Sequence, residues 1–322
     1  MKKNVFTLSF AAAFSFSICL AAACQAQEKS KPLELPQCDI FLFDIETGDS
    51  ESPMKVSNPR NITDRIGYDN QPWFTPESKT ILFTANRAAD RTDIFEYVIE
   101  SKETRQITDS PTQEYSPQIS PENKVLSFVT DGEGANQSIW SVKRGDDWAA
   151  VQGTERWLLQ EQGEREPVGY YSWNHETDYI LFWSRYGYSI RLFHAKKKVV
   201  HFVTGMAPPS SPYIIPGTNK FSFLHRQAND EAWIKELDPE TLAIRPLTKT
   251  FGSNPNYGWT PDGSIIMCDG TKMSRWSPDS DGKWSTVVDL ATLGMKSASR
   301  VAVSPNGKLL AVVGVAKDSE TN

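Results

Sequence analysis

The sequence lacks the motifs of several common enzyme classes. Its 322 residues contain no Gly-x-Ser-x-Gly nucleophile motif, no His-Glu-x-x-His metal motif and no Walker phosphate loop. Positive charge is also scarce: the formal net charge is −6, and the longest basic run is Lys196–Lys198. A nucleic-acid-binding surface needs clustered Lys and Arg side chains that neutralise phosphates. The sequence therefore predicts no catalytic residue and no nucleic-acid partner.

Histidine, the commonest protein ligand of transition metals, is rare in this chain. There are four histidines, and they fall on different predicted elements: His175, His194, His201 and His225. Zinc ligands normally occur as closely spaced pairs along the chain, and these residues do not. We therefore predict no metal site and no cofactor.

Long hydrophobic runs are absent except at the N-terminus. Val5–Ala23 consists of apolar or small residues, follows Lys2 and Lys3, and precedes the polar segment Gln25–Lys31. This pattern predicts a secretory signal peptide over residues 1–23, followed by a polar tether over residues 24–37. An uncleaved membrane helix is the alternative for the same run.

Two processing routes compete at Cys24. The segment Leu20-Ala-Ala-Ala-Cys24 resembles a bacterial lipobox, although the leucine is one position too far upstream. Lipidation of Cys24 would hold the protein at a membrane face without a spanning segment. Ordinary signal-peptidase cleavage near Ala26 would instead release it. By either route we expect export to the periplasm, with an outer-membrane anchor only if Cys24 is lipidated.

The body of the chain repeats one unit, first seen at Asn70–Asp109. Four short apolar or alternating runs, here strands A to D, are separated by turn-forming residues, with no room for a helix between them. Six copies align on the turn between strands A and B, at Pro76, Pro121, His175, Pro216, Pro261 and Pro305. Their intervals of 41 to 54 residues are those of β-propeller blades. We therefore predict an all-β, six-bladed β-propeller of four-stranded antiparallel blades.

The sixth copy stops after strand B, and its missing half lies near the N-terminus. Cys38–Asp44 matches the strand C segment Thr92–Val98, and Asn61–Asp64 matches the strand D segment Gln106–Asp109. N- and C-terminal strands would thus close the last blade together and leave no unpaired sheet edge. The predicted propeller domain covers residues 38–322.

A family resemblance is carried by the fifth and sixth copies. The run Trp259–Ile266 and the turn Ser304–Gly307, with the blade-closing pair Leu247-Thr248, resemble the WD40-like repeat of the TolB family. The resemblance covers about residues 38–315 and implies a propeller, which in that family is the periplasmic component of the Tol system. TolB itself has a further N-terminal α/β domain, for which this chain has no space. The resemblance is therefore to the propeller part only.

Two cysteines remain in the predicted mature protein, Cys38 and Cys268. Export makes a disulfide between them chemically allowed, and the predicted strand order brings them to adjacent blades. A bridge requires Cα atoms within about 7 Å of each other. The alternative for Cys268 is a small buried hydrophobic residue, because other copies have phenylalanine at that position.

One face of the predicted propeller, here the mouth face, gathers the starts of strand A and the ends of strand B. The opposite face carries tight A–B turns, which offer little side-chain reach. Charged and aromatic side chains of the mouth face are therefore predicted to bind a ligand: Arg87, Tyr115, Asp131, Tyr170, Arg185, Tyr213, His225, Arg226 and Arg300. A solvated rim without a ligand is the alternative.

These features favour a non-enzymatic recognition protein of the cell envelope. It would bind an envelope protein, a peptide or an anionic polymer at the channel mouth, and would meet a membrane only through Cys24. The alternative is an envelope enzyme, a lyase or hydrolase acting on a carbohydrate or peptide at the same mouth. Six-bladed propellers include enzymes, and a fold alone does not decide function.

Overall fold

The computed structural model describes residues 35–46, 54–88, 91–131, 137–144 and 167–317. They belong to one compact unit, Leu35–Asn322. The predicted signal peptide, Cys24 and the tether up to residue 34 lie outside the described residues. Within the described ranges, no helix is both long and apolar enough to cross a bilayer.

The described residues form 23 strands in six antiparallel sheets. In chain order the strands are β1 (Asp39–Glu46), β2 (Lys55–Asn61), β3 (Asp69–Phe74), β4 (Thr80–Ala88), β5 (Arg91–Val98), β6 (Glu103–Gln106), β7 (Glu114–Ile119), β8 (Val125–Thr130), β9 (Ser138–Lys143), β10 (Val168–Asn174), β11 (Tyr179–Ser184), β12 (Ser189–His194), β13 (Val199–Thr204), β14 (Tyr213–Ile214), β15 (Phe221–Arg226), β16 (Ala232–Leu237), β17 (Ile244–Lys249), β18 (Tyr257–Trp259), β19 (Ile265–Asp269), β20 (Lys272–Trp276), β21 (Trp284–Asp289), β22 (Met295–Val303) and β23 (Leu309–Ala316). Two short 3-10 turns cover Tyr186–Tyr188 and Leu290–Leu293.

The six sheets are the blades of the predicted propeller. Blades one to five are β3–β6, β7–β9, β10–β13, β14–β17 and β18–β21, and blade six is the sheet β22-β23-β1-β2. Five blades have four strands, and in blade two the described residues supply three. The strands A, which are β3, β7, β10, β14, β18 and β22, contact one another from blade to blade and lie innermost. The predicted fold class is confirmed.

The sequence of each strand suits its distance from the propeller axis. In β4 the run Ile81, Leu82 and Phe83 is completely buried, because both faces of this strand meet neighbouring blades. The outermost strand β2 is largely exposed and polar, and it contains Pro59. Proline lacks the N–H group that a central strand must donate, so it is tolerated at such an edge.

Blade six joins the two ends of the domain as predicted. Strand β1 pairs antiparallel with β23, with Ile40 opposite Val313 and Phe43 opposite Leu310. Its other edge pairs with β2, which becomes the outer strand. N-terminal strands therefore hold the C-terminal strand pair in place.

The core consists of apolar clusters that join neighbouring blades. Trp73, Trp173 and Trp259 all lie in strand A, and they pack in the clusters between blades one and two, two and three, and four and five. Each large side chain buried in this way contributes on the order of 2 kcal/mol to folding. These tryptophans of strand A therefore support the packing between blades.

The candidate disulfide is not formed. Cys38 and Cys268 are both buried free thiols, and they lie in different clusters. Cys38 packs with Ile40 between blades six and one, whereas Cys268 packs with Phe41 between blades five and six. Since alternate residues of β1 point to opposite faces, the sheet of blade six separates the two thiols. Burial raises the pKa of Cys38 to about 11 and that of Cys268 to about 12, so both stay protonated.

Candidate functional site

One position of strand A recurs around the channel, five residues before the aligned turn residue of each repeat. It is occupied by Gln71, Ser116, Tyr170, Ser211, Asn256 and Arg300. Gln71, Ser116, Ser211 and Arg300 line a cavity of about 360 Å³ between the inner strands. The channel therefore has a ring of polar side chains near its mouth.

Arg300 is the charged member of this ring. It is half-buried on β22, and its Nη2 donates a hydrogen bond to the Tyr170 hydroxyl at 2.8 Å. Its guanidinium carbon lies 4.8 Å from the centre of the Tyr170 ring. The pKa of Arg300 lies above its ordinary value: burial acts to lower it, but interactions with Tyr170, Tyr68 and Tyr213 outweigh burial. Arg300 therefore carries a positive charge at any physiological pH.

The neighbours of Arg300 are phenols rather than carboxylates. Within the described residues, no salt bridge joins Arg300 to an Asp or Glu side chain. Tyr68 is nearly buried, and Tyr213 lines the cavity beside Arg300. Burial raises the pKa of Tyr68 and of Tyr213, so both phenols are neutral at physiological pH. The guanidinium thus has cation–π and hydrogen-bond partners but no counter-charge among the described residues.

Aromatic rings connect Arg300 to the exposed rim. The ring centres of Tyr170 and Trp183 are 5.9 Å apart. The ring centres of Trp183 and Tyr188 are 5.7 Å apart, in an edge-to-face arrangement. Trp183 is fixed by donating its indole N–H to the Ala207 carbonyl at 2.8 Å. Tyr188 is 57 % exposed in the loop between strands B and C of blade three. These rings form a continuous apolar path from the rim to the guanidinium, here the aromatic track.

Below the polar ring the cavity wall becomes apolar. The aligned turn prolines Pro76, Pro121 and Pro305 line this part, together with Phe74 and Val303. Proline has no backbone N–H group, and the side chains of these five residues are hydrocarbon, so this part of the wall is largely apolar. The cavity therefore has a polar upper part and an apolar lower part.

Two polar residues of the ring hold the blades together. The Gln71 side-chain oxygen accepts hydrogen bonds from the Thr84 hydroxyl and from the Ser116 backbone N–H, both at 2.8 Å. Gln71 and Ser116 have φ angles of 57° and 54°, a left-handed conformation that is unfavourable for residues other than glycine. Such strain tends to persist where surrounding contacts enforce it, often at functional sites.

Three predicted site residues form a second group between blades two and three. Asp131 accepts a hydrogen bond from the Gln113 backbone N–H at 2.7 Å, and Tyr115 lies beside it. Arg185 is exposed and donates to the Gln137 side chain at 3.3 Å. Burial raises the pKa of Tyr115 and of Asp131. This group lies on the mouth face but does not line the cavity.

Arg87 has a structural role. It lies 3.6 Å from the fully buried Asp69, which is also 3.0 Å from Arg65. Its guanidinium carbon stands 5.1 Å from the Phe95 ring centre. Burial raises the pKa of Asp69, although both arginines act to lower it. Arg87 is therefore paired within blade one.

His225 and Arg226 lie away from the channel. Burial lowers the pKa of His225, with a smaller contribution from Lys235, so the imidazole is neutral. Arg226 is exposed and borders a different, charged cleft with Glu231 and Lys249. Of the nine residues predicted for the mouth face, the structure joins Tyr170, Tyr213 and Arg300 into one site.

Glu114 occupies in blade two the strand position of Asp69 in blade one. It is 2 % exposed and accepts a hydrogen bond from the Ser110 hydroxyl at 2.7 Å. Burial raises the pKa of Glu114 to about 7, against the hydrogen bonds of Thr108 and Ser110 that act to lower it. Within the described ranges, no cluster of three or more His, Cys, Asp or Glu side chains has the geometry of a metal site.

The sequence did not single out Tyr68, Trp183 or Tyr188. Tyr68 reaches the site because blade closure brings it beside β22, which no local pattern reveals. Tyr186-Gly187-Tyr188, by contrast, follows directly after strand B of blade three. Its place on the mouth face could have identified the exposed end of the aromatic track.

Comparison with known proteins supports the fold. No family model matches the sequence, and no curated protein matches it. Among solved structures, TolB from Acinetobacter baumannii superposes with a TM-score of 0.55 and 15% identity, over 87% of this chain and 65% of that one. A protein provisionally named TolB from Agrobacterium tumefaciens gives 0.63 and 12% identity, over 86% and 98% of the two chains.

A third solved structure is an enzyme. The gluconolactonase from Xanthomonas campestris superposes with a TM-score of 0.60 and 10% identity, over 87% of this chain and 97% of that one. Identities this low demonstrate a shared fold only. The protein is thus a six-bladed β-propeller whose structural neighbours include TolB-like propellers, and it spans about 65% of the length of the Acinetobacter TolB.

Proposed function

We propose that this protein is an exported, non-enzymatic recognition propeller that binds an anionic group of an envelope partner at its channel mouth. The observation that carries this proposal is the charge of Arg300, which the described residues leave without a carboxylate. A charge withdrawn from water is costly unless it is paired. A ligand anion would supply the missing counter-charge.

The surroundings of Arg300 suit the recognition of a protein or peptide. Tyr and Arg side chains are enriched where partners bind, since they provide rigid contact area and directional hydrogen bonds. The aromatic track extends such a surface from Arg300 to Tyr188 at the rim. Exposed Met206 and Ile66, 55 % and 87 % accessible, add apolar area to the same face.

The sequence of the N-terminal segment supports the cellular location in this proposal. A signal peptide over residues 1–23 would direct the protein to the periplasm, and lipidation of Cys24 would anchor it to the outer membrane. The partner would then be an envelope protein, a peptide or an anionic polymer, and no nucleic acid. Palmitate labelling of wild-type protein and of Cys24→Ala distinguishes anchoring from simple secretion.

An envelope lyase or hydrolase is the alternative, because the fold is shared with a gluconolactonase. General acid–base chemistry normally uses His, Asp, Glu, Lys, Cys or Tyr side chains. Of these types, the described residues that line the channel cavity include only Tyr213. A lining of this composition suits binding better than proton transfer.

The test is capture of a partner from solubilised cell envelope by immobilised protein. Wild type, Arg300→Gln and the matched control Arg226→Gln are compared, since Arg226 is an exposed arginine of the mouth face outside the cavity. We expect wild type and Arg226→Gln to capture the same partner, identified by mass spectrometry, and Arg300→Gln to lose it. A partner retained equally by Arg300→Gln would overturn the proposal.

A further inference from the structure

The described residues supply a single charge to the cavity under the mouth. Arg300 is the only charged residue among the described residues that line it, and Gln71, Ser116 and Ser211 are neutral. A polyanion entering this space would therefore bring charges that nothing neutralises, at a high desolvation cost. The site matches one negative charge.

The cavity also contains an unused hydrogen-bonding group. Ser116 lines the cavity and is 8 % exposed, but its Oγ is itself buried and has no hydrogen-bond partner among the described residues. Buried hydroxyl groups are normally hydrogen-bonded. Rotation about the Cα–Cβ bond of Ser116 would turn this unpaired hydroxyl from its buried position toward the cavity. A ligand that carries an anion and a nearby polar group would satisfy both Arg300 and Ser116.

The lower part of the cavity requires an apolar group. From Arg300 to Pro305 the strand descends by about 15 Å, past Val303 and toward Pro76 and Pro121. A cavity of about 360 Å³ is near the lower limit of ligand pockets. It has room for one or two residues of a peptide, with a hydrocarbon side chain against the apolar wall directly below Arg300, which includes Val301 and Ala302.

We propose that the channel binds the free C-terminus of a peptide or protein chain that ends in a large apolar residue. The α-carboxylate accepts hydrogen bonds from the Arg300 guanidinium, and the last side chain packs against the apolar wall directly below Arg300, beside Val301 and Ala302. The last peptide group bonds to the Ser116 hydroxyl once that side chain has rotated toward the cavity. This inference rests on the proposed function and narrows the partner's anionic group to a chain terminus.

A chain terminus fits these three features better than other carboxylates. A uronic acid would place its hydroxyl groups against prolines and valines, where nothing bonds to them. An internal Asp or Glu carries its charge at the end of a side chain, so no apolar group extends beyond the carboxylate into the cavity. A C-terminal residue presents its charge, its peptide group and its apolar side chain at one carbon atom.

Calorimetric titration with synthetic peptides tests this inference. Four acetylated, alanine-based tetrapeptides are compared. Two end in phenylalanine, one as the free acid and one as the amide. The third ends in serine as the free acid, and the fourth is amidated and carries an internal glutamate. 3-Phenylpropionate serves as a small apolar acid. We expect the phenylalanine free acid to bind wild type at least about tenfold more tightly than each of the others, the usual scale for a charge-assisted bond or a buried aromatic ring.

Two variants show whether Arg300 reads the carboxylate. Arg300→Gln should bind the free acid and the amide equally, whereas Arg226→Gln should discriminate between them as wild type does. Ser116→Ala should weaken the free acid and the amide by the same factor, because it removes the bond to the peptide group. Melting temperatures are measured for each variant, and only variants that melt like wild type are compared.

The outcomes separate this inference from the proposed function. Equal binding of acid and amide by wild type, or binding of phenylpropionate as tight as that of the peptide, overturns the chain-terminus proposal. If envelope capture still depends on Arg300 in that case, the proposed function stands. If capture is insensitive to Arg300→Gln while the acid is preferred over the amide, the proposed function fails and the peptide site stands.

Discussion

Arg87 and Arg300 both lie on the mouth side of the propeller, but their electrostatic surroundings differ. Arg87 faces Asp69, a fully buried carboxylate that also contacts Arg65. Arg300 faces the hydroxyl and ring of Tyr170, and no carboxylate pairs with it in the described part of the chain. The difference separates an arginine used by the fold from one whose charge the described residues leave without a carboxylate.

The same contrast exists between two carboxylates. Asp69 and Glu114 occupy one strand position in blades one and two, and both are buried. Asp69 has two arginines within 4 Å, whereas Glu114 is held mainly by hydroxyl groups. Four perturbations test whether pairing decides the role of each group, and they follow in order of decreasing effect.

Asp69→Asn should lower the free energy of unfolding by about 3 kcal/mol or more, because it leaves Arg65 and Arg87 close together without a counter-charge. Arg300→Gln should change stability by less than about 1 kcal/mol, since it removes a charge that has no counter-charge among the described residues. Urea denaturation measures both. Equal destabilisation by the two substitutions would show that Arg300 stabilises the fold as much as Asp69 does, and would contradict the distinction between Arg87 and Arg300.

Glu114→Gln should stabilise the protein above neutral pH, by an amount on the order of 3 kcal/mol. The pKa of Glu114 is about 7 in the folded protein, above its ordinary value of 4.5. Between these two values the folded state retains a proton that the unfolded state has released, so stability falls as pH rises. Denaturation at pH 5 and pH 8 should show a steeper loss for wild type than for the variant. The same change of unfolding free energy between pH 5 and pH 8 in wild type and Glu114→Gln would refute the raised pKa of Glu114.

Tyr170→Phe should weaken binding of the free-acid peptide by about 1 kcal/mol, because it removes the hydroxyl that orients Arg300 but keeps the ring under it. Tyr213→Phe is the matched control, since Tyr213 lines the cavity without a hydrogen bond to Arg300 among those described. Titration of both variants decides the point. A larger loss of peptide affinity in Tyr213→Phe than in Tyr170→Phe would indicate that the anion binds beside Tyr213 rather than Tyr170.

The double variant Arg185→Ala, Arg226→Ala should have the smallest effect, below about 1 kcal/mol on affinity, because both side chains are exposed. Exposed arginines attract an anionic partner at long range, so the variant should slow association at low salt and much less at high salt. Stopped-flow mixing measures these rates. A dissociation rate that is faster than that of wild type at every salt concentration would place these arginines in direct contact with the partner.

The architecture could be predicted because it depends on local patterns. Each blade repeats the same alternation of apolar runs and turns, and the match of Cys38–Asp44 with Thr92–Val98 identified the closing strand. Among the functional residues, the tight A–B turns were recognised but their role was not. Pro76, Pro121 and Pro305 present their rings to the channel and make its lower wall apolar.

The site itself depends on contacts between distant residues. Arg300 and Tyr170 are 130 positions apart, and their hydrogen bond forms because the propeller closes. The sequence placed Arg87 and Arg300 in one group, since a list of mouth-face residues does not reveal which arginine has a carboxylate beside it. The sequence left a disulfide between Cys38 and Cys268 open for a similar reason: strand order brought them to adjacent blades, but β1 separates their side chains, and Cys268 is the small buried residue of the alternative.

The central claim is that Arg300 holds its charge for a ligand carboxylate. The most direct measurement is a pair of crystal structures, of the free protein and of the protein soaked with the free-acid tetrapeptide ending in phenylalanine. We predict that the peptide carboxylate lies within about 3 Å of the Arg300 guanidinium, with the phenylalanine ring against the apolar wall directly below it, beside Val301 and Ala302. A free structure in which a carboxylate of the protein itself, from residues beyond those described, pairs with Arg300 would contradict the claim.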